Sequence, residues 1–245
     1  MKKEIVTAGF VMIGDEILSG RTQDKNLNFL AKNLAELGIS LKEVRVVPDI
    51  EGEIIEAINS LRKKYDYIFT SGGIGPTHDD ITSAAVAKAF DAKLILHKTA
   101  EEILRKHYGD QLNEARLKMA YIPQGASLLD NPVSSAPGFR IENVFVMAGV
   151  PKIFEAMYEA ASKELIGGKK TQSQEITTDL TEGYLAYDLE QLQKKYPQVA
   201  MGSYPFVSGT SLVFRSIDYV ALERSCAEMV EIVAKIKCNT ISTLK

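Results

Sequence analysis

Apolar and polar positions along the first two thirds of the chain switch repeatedly between strand-like and helix-like spacing. Ile5 to Ile13 is a short apolar run of the kind produced by a strand buried on both faces. Leu27, Leu30, Leu34 and Leu37 then recur at helical spacing, with Asp24 suited to cap that helix and Gly38 to stop it. Leu41 to Val47 reads as a second strand, and Asp49 opens a helix carrying Ile54, Ile55, Ile58 and Leu61 on one face. Tyr67 to Thr70 is a third strand, which runs into the glycine-rich segment Ser71 to Pro76. An Ala-rich helix follows, from about Ile81 to Phe90. Strands alternating with helices predict an α/β domain with a largely parallel sheet and right-handed crossovers.

The middle of the chain is less regular. Thr99 to Tyr108 and Asn113 to Met119 look helical, while Ser127 to Ile141 is rich in Pro, Gly and Ser and reads as irregular. Val144 to Met147 is a further strand, and Pro151 begins a helix ending near Leu165. Ile166 to Lys170 is the best linker, giving domains at 1–168 and 171–245. Past it, Glu175–Leu180, Val199–Tyr204 and Ser211–Ser216 read as strands. Tyr187–Tyr196 and a last helix capped by Asp218 complete a β-α-β-β-α module, a small α+β domain. Its aromatics, Tyr184, Tyr187, Tyr196, Tyr204 and Phe206, are expected in its core.

Composition narrows the function classes. The chain has 245 residues, 45% hydrophobic and 25% charged, an ordinary globular balance. Lys and Arg total 29 against 32 Asp and Glu, a net charge of −3, so no electrostatic footprint for nucleic acid or anionic lipid is present. After Lys170 the count is 7 basic against 9 acidic, which argues the same for the small domain. Lys2-Lys3 before an apolar run superficially suggests a signal peptide, but Thr7, Gly9 and Asp15-Glu16 interrupt it. No apolar stretch of membrane-spanning length occurs. Cys226 and Cys238 are too sparse for a disulfide scaffold or zinc site, and a cytoplasmic location is expected.

The strongest chemical signal is Gly72-Gly73-Ile74-Gly75-Pro76-Thr77-His78-Asp79-Asp80, between a strand and a helix. Clustered glycines let consecutive N–H groups form an anion nest, and the following helix start adds positive potential. A tight turn with Asp79 or Asp80 as helix cap is an equally good local reading. Neither a Walker lysine nor a third dinucleotide-type glycine is present. Asp15 and Glu16 follow the first strand and Asp49 the second. In a parallel sheet these acids and Asp79-Asp80 leave from the same carboxyl edge, where ligands bind. Carboxylates beside a phosphate nest suit a divalent ion bridging to polyphosphate. Asn131 to Phe139, with Ser134 and Ser135, and Gly149 ahead of Pro151 could add contacts to phosphate, ribose or a ring edge.

Three segments taken together, Gly14–Gly20, Gly72–Thr82 and Ala136–Phe139, resemble the N-terminal domain of the competence/damage-inducible protein CinA family, part of the molybdopterin-binding MoaB/MogA-like superfamily. The resemblance covers Ile5 to about Leu165. It implies a three-layer α/β/α fold with a mostly parallel sheet, binding a phosphorylated pterin or nucleotide at the strand ends. It also implies hydrolysis of nucleotide pyrophosphates such as ADP-ribose or FAD with Mg, Mn or Co, and a homo-oligomer. The family's acid in the loop pair falls on Asp80 and a second functional acid on Asp49. Asp79 stands where the pterin enzymes carry arginine, which favours the CinA subgroup over adenylyl transfer. The small domain looks like the KH-type module of CinA proteins, without a Gly-x-x-Gly clamp, and the amidase domain of longer members has no counterpart. The resulting expectation is a divalent-metal-dependent nucleotide pyrophosphatase. Asp80 and Asp49 are its catalytic residues. Gly72, Gly73, Gly75, Thr77, Ser135 and Gly149 bind the ligand, and Asp15, Glu16 and Asp80 hold the metal. A molybdenum-cofactor biosynthesis protein and a non-catalytic nucleotide-binding module are the alternatives.

Overall fold

The computed structural model describes residues 3–243. Two compact units divide between Gly168 and Lys169. In the first, the elements in chain order are β1 (Val6–Ile13), α1 (Asp15–Leu18), α2 (Asn26–Glu36), β2 (Ile39–Val47), α3 (Glu51–Arg62), β3 (Tyr67–Ser71) and α4 (Thr82–Ala89). They continue with β4 (Leu94–Leu96), α5 (Lys98–Tyr108), α6 (Glu114–Leu117), β5 (Tyr121–Pro123), β6 (Ser127–Leu129), β7 (Gly138–Ile141), β8 (Val144–Met147) and α7 (Pro151–Ser162). The main sheet has the order β2-β1-β3-β8-β7-β6, with the first four strands mutually parallel and β7 reversed.

The three layers follow from the pleat. Successive side chains of β1 point to opposite faces. Val11 and Ile13 join a core built on Ile54, Ile58 and Leu61 of α3 and Ala85 and Val86 of α4. Phe10 and Met12 join the opposite core, with Leu30 and Leu34 of α2 and Phe154 and Met157 of α7. Since β1, β3 and β8 are covered on both faces, their sequences are nearly continuous in apolar residues. β2 lies at the sheet edge and leaves Val44 and Val46 exposed.

Helix punctuation matches the sequence at α2. Asp24 Oδ1 accepts the Leu27 N–H at 2.8 Å, and Gly38 takes φ +70 past the last turn. At α3 the expectation fails, because Asp49 lies before Ile50 and gives the helix no cap bond. Ser127 to Ile141, expected to be irregular, contains β6 and β7 paired antiparallel, and β4 pairs with β5 in a separate ribbon. These strands are three or four residues long, too short to show a period.

The second unit runs β9 (Gln172–Thr178), α8 (Glu182–Lys195), β10 (Ala200–Phe206), β11 (Gly209–Ser216) and α9 (Tyr219–Thr243), with an antiparallel sheet ordered β10-β11-β9. Leu212 and Phe214 of β11 pack on Leu185 and Leu192 of α8 and on Leu222 and Met229 of α9. Asp218 caps α9 through the Ala221 N–H. The expected aromatic core is a correction: Tyr184, Tyr187, Tyr204 and Phe206 are exposed, and only Tyr196 packs against the aliphatic centre. Among the described residues no helix is long and apolar enough to cross a membrane.

Candidate functional site

Strands β1, β3 and β8 end side by side at Ile13, Ser71 and Met147, and the segments leaving them converge. They wall a cavity of about 560 Å³ that Tyr108, Arg116, Met119, Ser134 and Ala136 also line. Gly72 has φ +109, and a Cβ there would fall 2.1 Å from the Ile13 carbonyl oxygen, so the loop passes against the end of β1 as only glycine can. A Cβ on Gly73, at φ +69, would fall equally close to Thr82 Oγ1, and the Gly73 carbonyl accepts the Thr82 N–H at 3.0 Å. The loop is thereby fixed between β1 and α4.

The nest differs in one residue from the sequence expectation. The Gly72 N–H donates to the Met147 carbonyl at 3.1 Å and is not available to a ligand. The N–H groups of Gly73, Ile74 and Gly75 find no acceptor among the described residues, and all three residues line the cavity. Consecutive unpaired donors on a glycine turn form an anion-binding concavity. Gly149 lines the same cavity directly ahead of α7, whose positive end faces the same region.

The predicted acids separate into two ranks. Glu16 and Asp80 line the cavity. Asp80 Oδ2 also accepts from the Thr77 N–H and hydroxyl, at 2.8 and 2.5 Å, so Asp80 orders the glycine loop rather than capping α4. Asp15 and Asp49 stand outside the cavity lining and meet each other, the Asp15 N–H donating to Asp49 Oδ2 at 3.1 Å. Burial pushes the Asp49 carboxyl up, and the negative charges of Asp15, Glu16 and Asp79 add to this against the pull of the Asp15 N–H. Asp49, expected as a catalytic residue, is thus bonded to the turn that carries Glu16 and lies off the cavity lining.

Two further residues expected to bind the ligand, Thr77 and Ser135, lie off the cavity lining. Thr77 turns to Asp80, and Ser135 turns to His107 Nδ1 at 3.1 Å, leaving Ser134 on the cavity. Asn131 holds that loop: its amide donates to Ser134 Oγ and the Ala136 carbonyl, and its oxygen accepts from the N–H groups of Val133 and Ser134. Among the described residues no three His, Cys, Asp or Glu side chains cluster as a metal cage. The donor set is two hard carboxylates, Glu16 and Asp80. That fits an ion such as Mg²⁺, which is commonly held by one or two carboxylates together with substrate phosphates.

Sequence reasoning missed Tyr108, Arg116 and Asn26. The guanidinium of Arg116 lies 4.4 Å over the Tyr108 ring. Tyr108 ends α5 and Arg116 lies in the four-residue α6, and no glycine-rich loop or acid pair beside them singles them out. Asn26 had one usable signal, its position at the start of α2 beside the carboxyl edge.

Comparison with known proteins matches this architecture. Residues 9–167 match the family model described as "Probable molybdopterin binding domain", and residues 170–240 match "FAD synthase, middle domain". A CinA-like protein of Kosmotoga olearia is 40% identical over 168 residues, 66% of this chain and 40% of that protein. A "Probable FAD synthase" of Caenorhabditis briggsae is 34% identical over 226 residues, 81% of this chain and 43% of that protein. The chain thus spans less than half the length of either relative. The crystal structure of CinA from Thermoplasma acidophilum superposes with a TM-score of 0.63 at 35% identity, over 66% of this chain and 99% of that one. The glycine turn at the carboxyl edge of a mostly parallel sheet, and a family match spanning that whole unit, make this chain a CinA-like member of the molybdopterin-binding-domain family to which MoaB and MogA belong.

Proposed function

We propose that the chain hydrolyses the phosphoanhydride of a nucleotide pyrophosphate of the ADP-ribose or FAD type. The observation that carries this is the run of unpaired N–H groups at Gly73, Ile74 and Gly75, in one cavity with the carboxylates of Glu16 and Asp80. The amides bind phosphate oxygens, and Gly149 at the start of α7 adds to the positive potential. Glu16 accepts the proton of the attacking water as its oxygen bonds to phosphorus. The P–O–P bridge breaks and two phosphomonoesters leave. Asp80 keeps the glycine loop in its donor geometry, and Asp49 keeps Glu16 aimed at the cavity. Glu16 and Asp80 would hold a divalent cation, which when bound would supply charge neutralisation on the phosphates and Lewis acidity. The family match to a FAD synthase middle domain supports a nucleotide ligand. The same reading places the protein in the cytoplasm and, by family resemblance, in a homo-oligomer.

Purified protein incubated with ADP-ribose or FAD and Mg²⁺, Mn²⁺ or Co²⁺ should release AMP. Tight binding of these compounds without AMP under any of the metals overturns hydrolysis and leaves a binding module. A second reading, a phosphorylated pterin as ligand, draws on the molybdopterin-binding family model. Rescue of a strain lacking molybdopterin adenylylation would establish it.

A further inference from the structure

Arg116 is the cation of this cavity that no carboxylate answers. Arg45, Arg105 and Arg140 each meet a glutamate, whereas Arg116 has no ion pair among the described residues. Its Nη1 donates to the Gln111 carbonyl, which ties one edge of the guanidinium to the backbone. One face lies over the Tyr108 ring. Tyr108 is in turn packed on a small separate core of Ala100, Leu104 and Ala120, so this platform is braced from behind. Both residues line the cavity, and the same lining includes the apolar side chains of Pro76, Met119 and Ala136 with Ser134 as a polar neighbour.

We propose that Arg116, backed by Tyr108, is the specificity-determining residue that stacks on a planar heteroaromatic ring of the substrate. The inference rests on the phosphate placement described above. A phosphate is recognised by N–H edges pointing at its oxygens, and the glycine loop already supplies such donors. The Arg116 guanidinium instead has Nη1 tied to the Gln111 carbonyl and lies over an aromatic ring, in a cavity whose lining side chains Pro76, Met119 and Ala136 are apolar. A guanidinium plane is weakly hydrated and stacks well on aromatic rings, which a lysine ammonium does not. The cavity volume is ample for a ring and a phosphate together. The substrate class is therefore a planar nitrogen heterocycle joined through a short polar linker to phosphate; purine, flavin and pterin rings share this chemistry.

Calorimetry on the full chain with Mg²⁺ tests this, using ADP and inorganic pyrophosphate as probes. Binding is read without turnover, so loss of the hydrolysis reading and loss of this one are separable. Arg116→Ala and Arg116→Lys should each weaken ADP by about tenfold, the scale of one stacked base, and leave pyrophosphate unchanged. Tyr108→Leu, which removes the backing, should reproduce the effect, while Tyr108→Phe should not. Unchanged melting temperatures for the Arg116 variants exclude misfolding as the cause. The proposal is overturned if Arg116→Ala weakens both probes while Arg116→Lys restores both, since Arg116 is then a phosphate ligand. It is overturned equally if no variant changes ADP binding, or if wild-type protein binds pyrophosphate but not ADP.

Discussion

Asn26 donates one amide hydrogen to Ser71 Oγ and the other to the carbonyl of Gly149, both at 2.8 Å. It is 3% exposed, and the two bonds join the start of α2 to the end of β3 and to the turn after β8. A buried polar group left without its partner is costly. Asn26→Ala should therefore destabilise the first unit by about 2 kcal/mol in denaturant unfolding and weaken pyrophosphate binding, because the two loops lose their tie. Unchanged stability would show that the tie is made some other way.

Gly72→Ala is the sharper test of the loop. The added methyl meets the Ile13 carbonyl, a backbone atom that cannot swing aside, at a φ that disfavours any side chain. A loss of about 2 kcal/mol or more is expected, together with loss of ligand binding. Gly20→Ala, at φ +73 but with nothing within 4 Å of the new methyl, isolates the backbone strain alone and should be milder.

Glu16→Gln should lower the rate of AMP release by about 100-fold with little change in protein stability, the range associated with a general base. Asp80→Asn should reduce both rate and phosphate affinity, because Asp80 holds the loop through Thr77. A Glu16→Gln protein of full activity moves the proton acceptor elsewhere.

Two carboxylates give opposite pH signatures. Glu43 accepts from Lys64, Tyr65 and Arg45, and these bonds hold its pKa down at about 2 against an ordinary 4.5. Its folded value lies below its unfolded one, so its contribution is present above pH 4.5 and disappears as pH falls towards about 2. Acid titration of stability should be shallower in Glu43→Gln than in wild type over that window.

Asp49 has the reverse sign. Its folded carboxyl is held above the ordinary 3.8, chiefly by burial, so the unfolded chain ionises first and stability falls as pH rises from there. Asp49→Asn keeps an oxygen for the Asp15 N–H and removes the charge. It should gain stability relative to wild type above pH 3.8, measured by thermal unfolding across pH.

Where the sequence spoke clearly, several independent signals coincided. At α2 the leucine period, Asp24 and Gly38 agree, and the helix forms between them. The glycine segment was legible because its residue types are demanded by a backbone path. Its donor pattern was not, since the Gly72 N–H is taken by Met147, a residue distant in sequence. The acids were legible as a set leaving one sheet edge. Which of them reach the cavity depends on side-chain direction, and that places Glu16 and Asp80 in front of Asp15 and Asp49. Arg116 and Tyr108 carried no signal because their meeting depends on the turn between α5 and the four-residue α6. The exposed Tyr187 shows the limit of assigning a core by aromatic character alone.

The ribbon formed by β4 and β5 pins both ends of the segment that carries Tyr108 and Arg116, and that segment has its own small apolar centre, which meets the main sheet at Leu128 of β6. It is also tied to the glycine turn, since Lys118 Nζ donates to the Thr77 carbonyl. A change between Leu94 and Pro123 therefore acts twice, on which rings the cavity admits and on how firmly the phosphate loop is held.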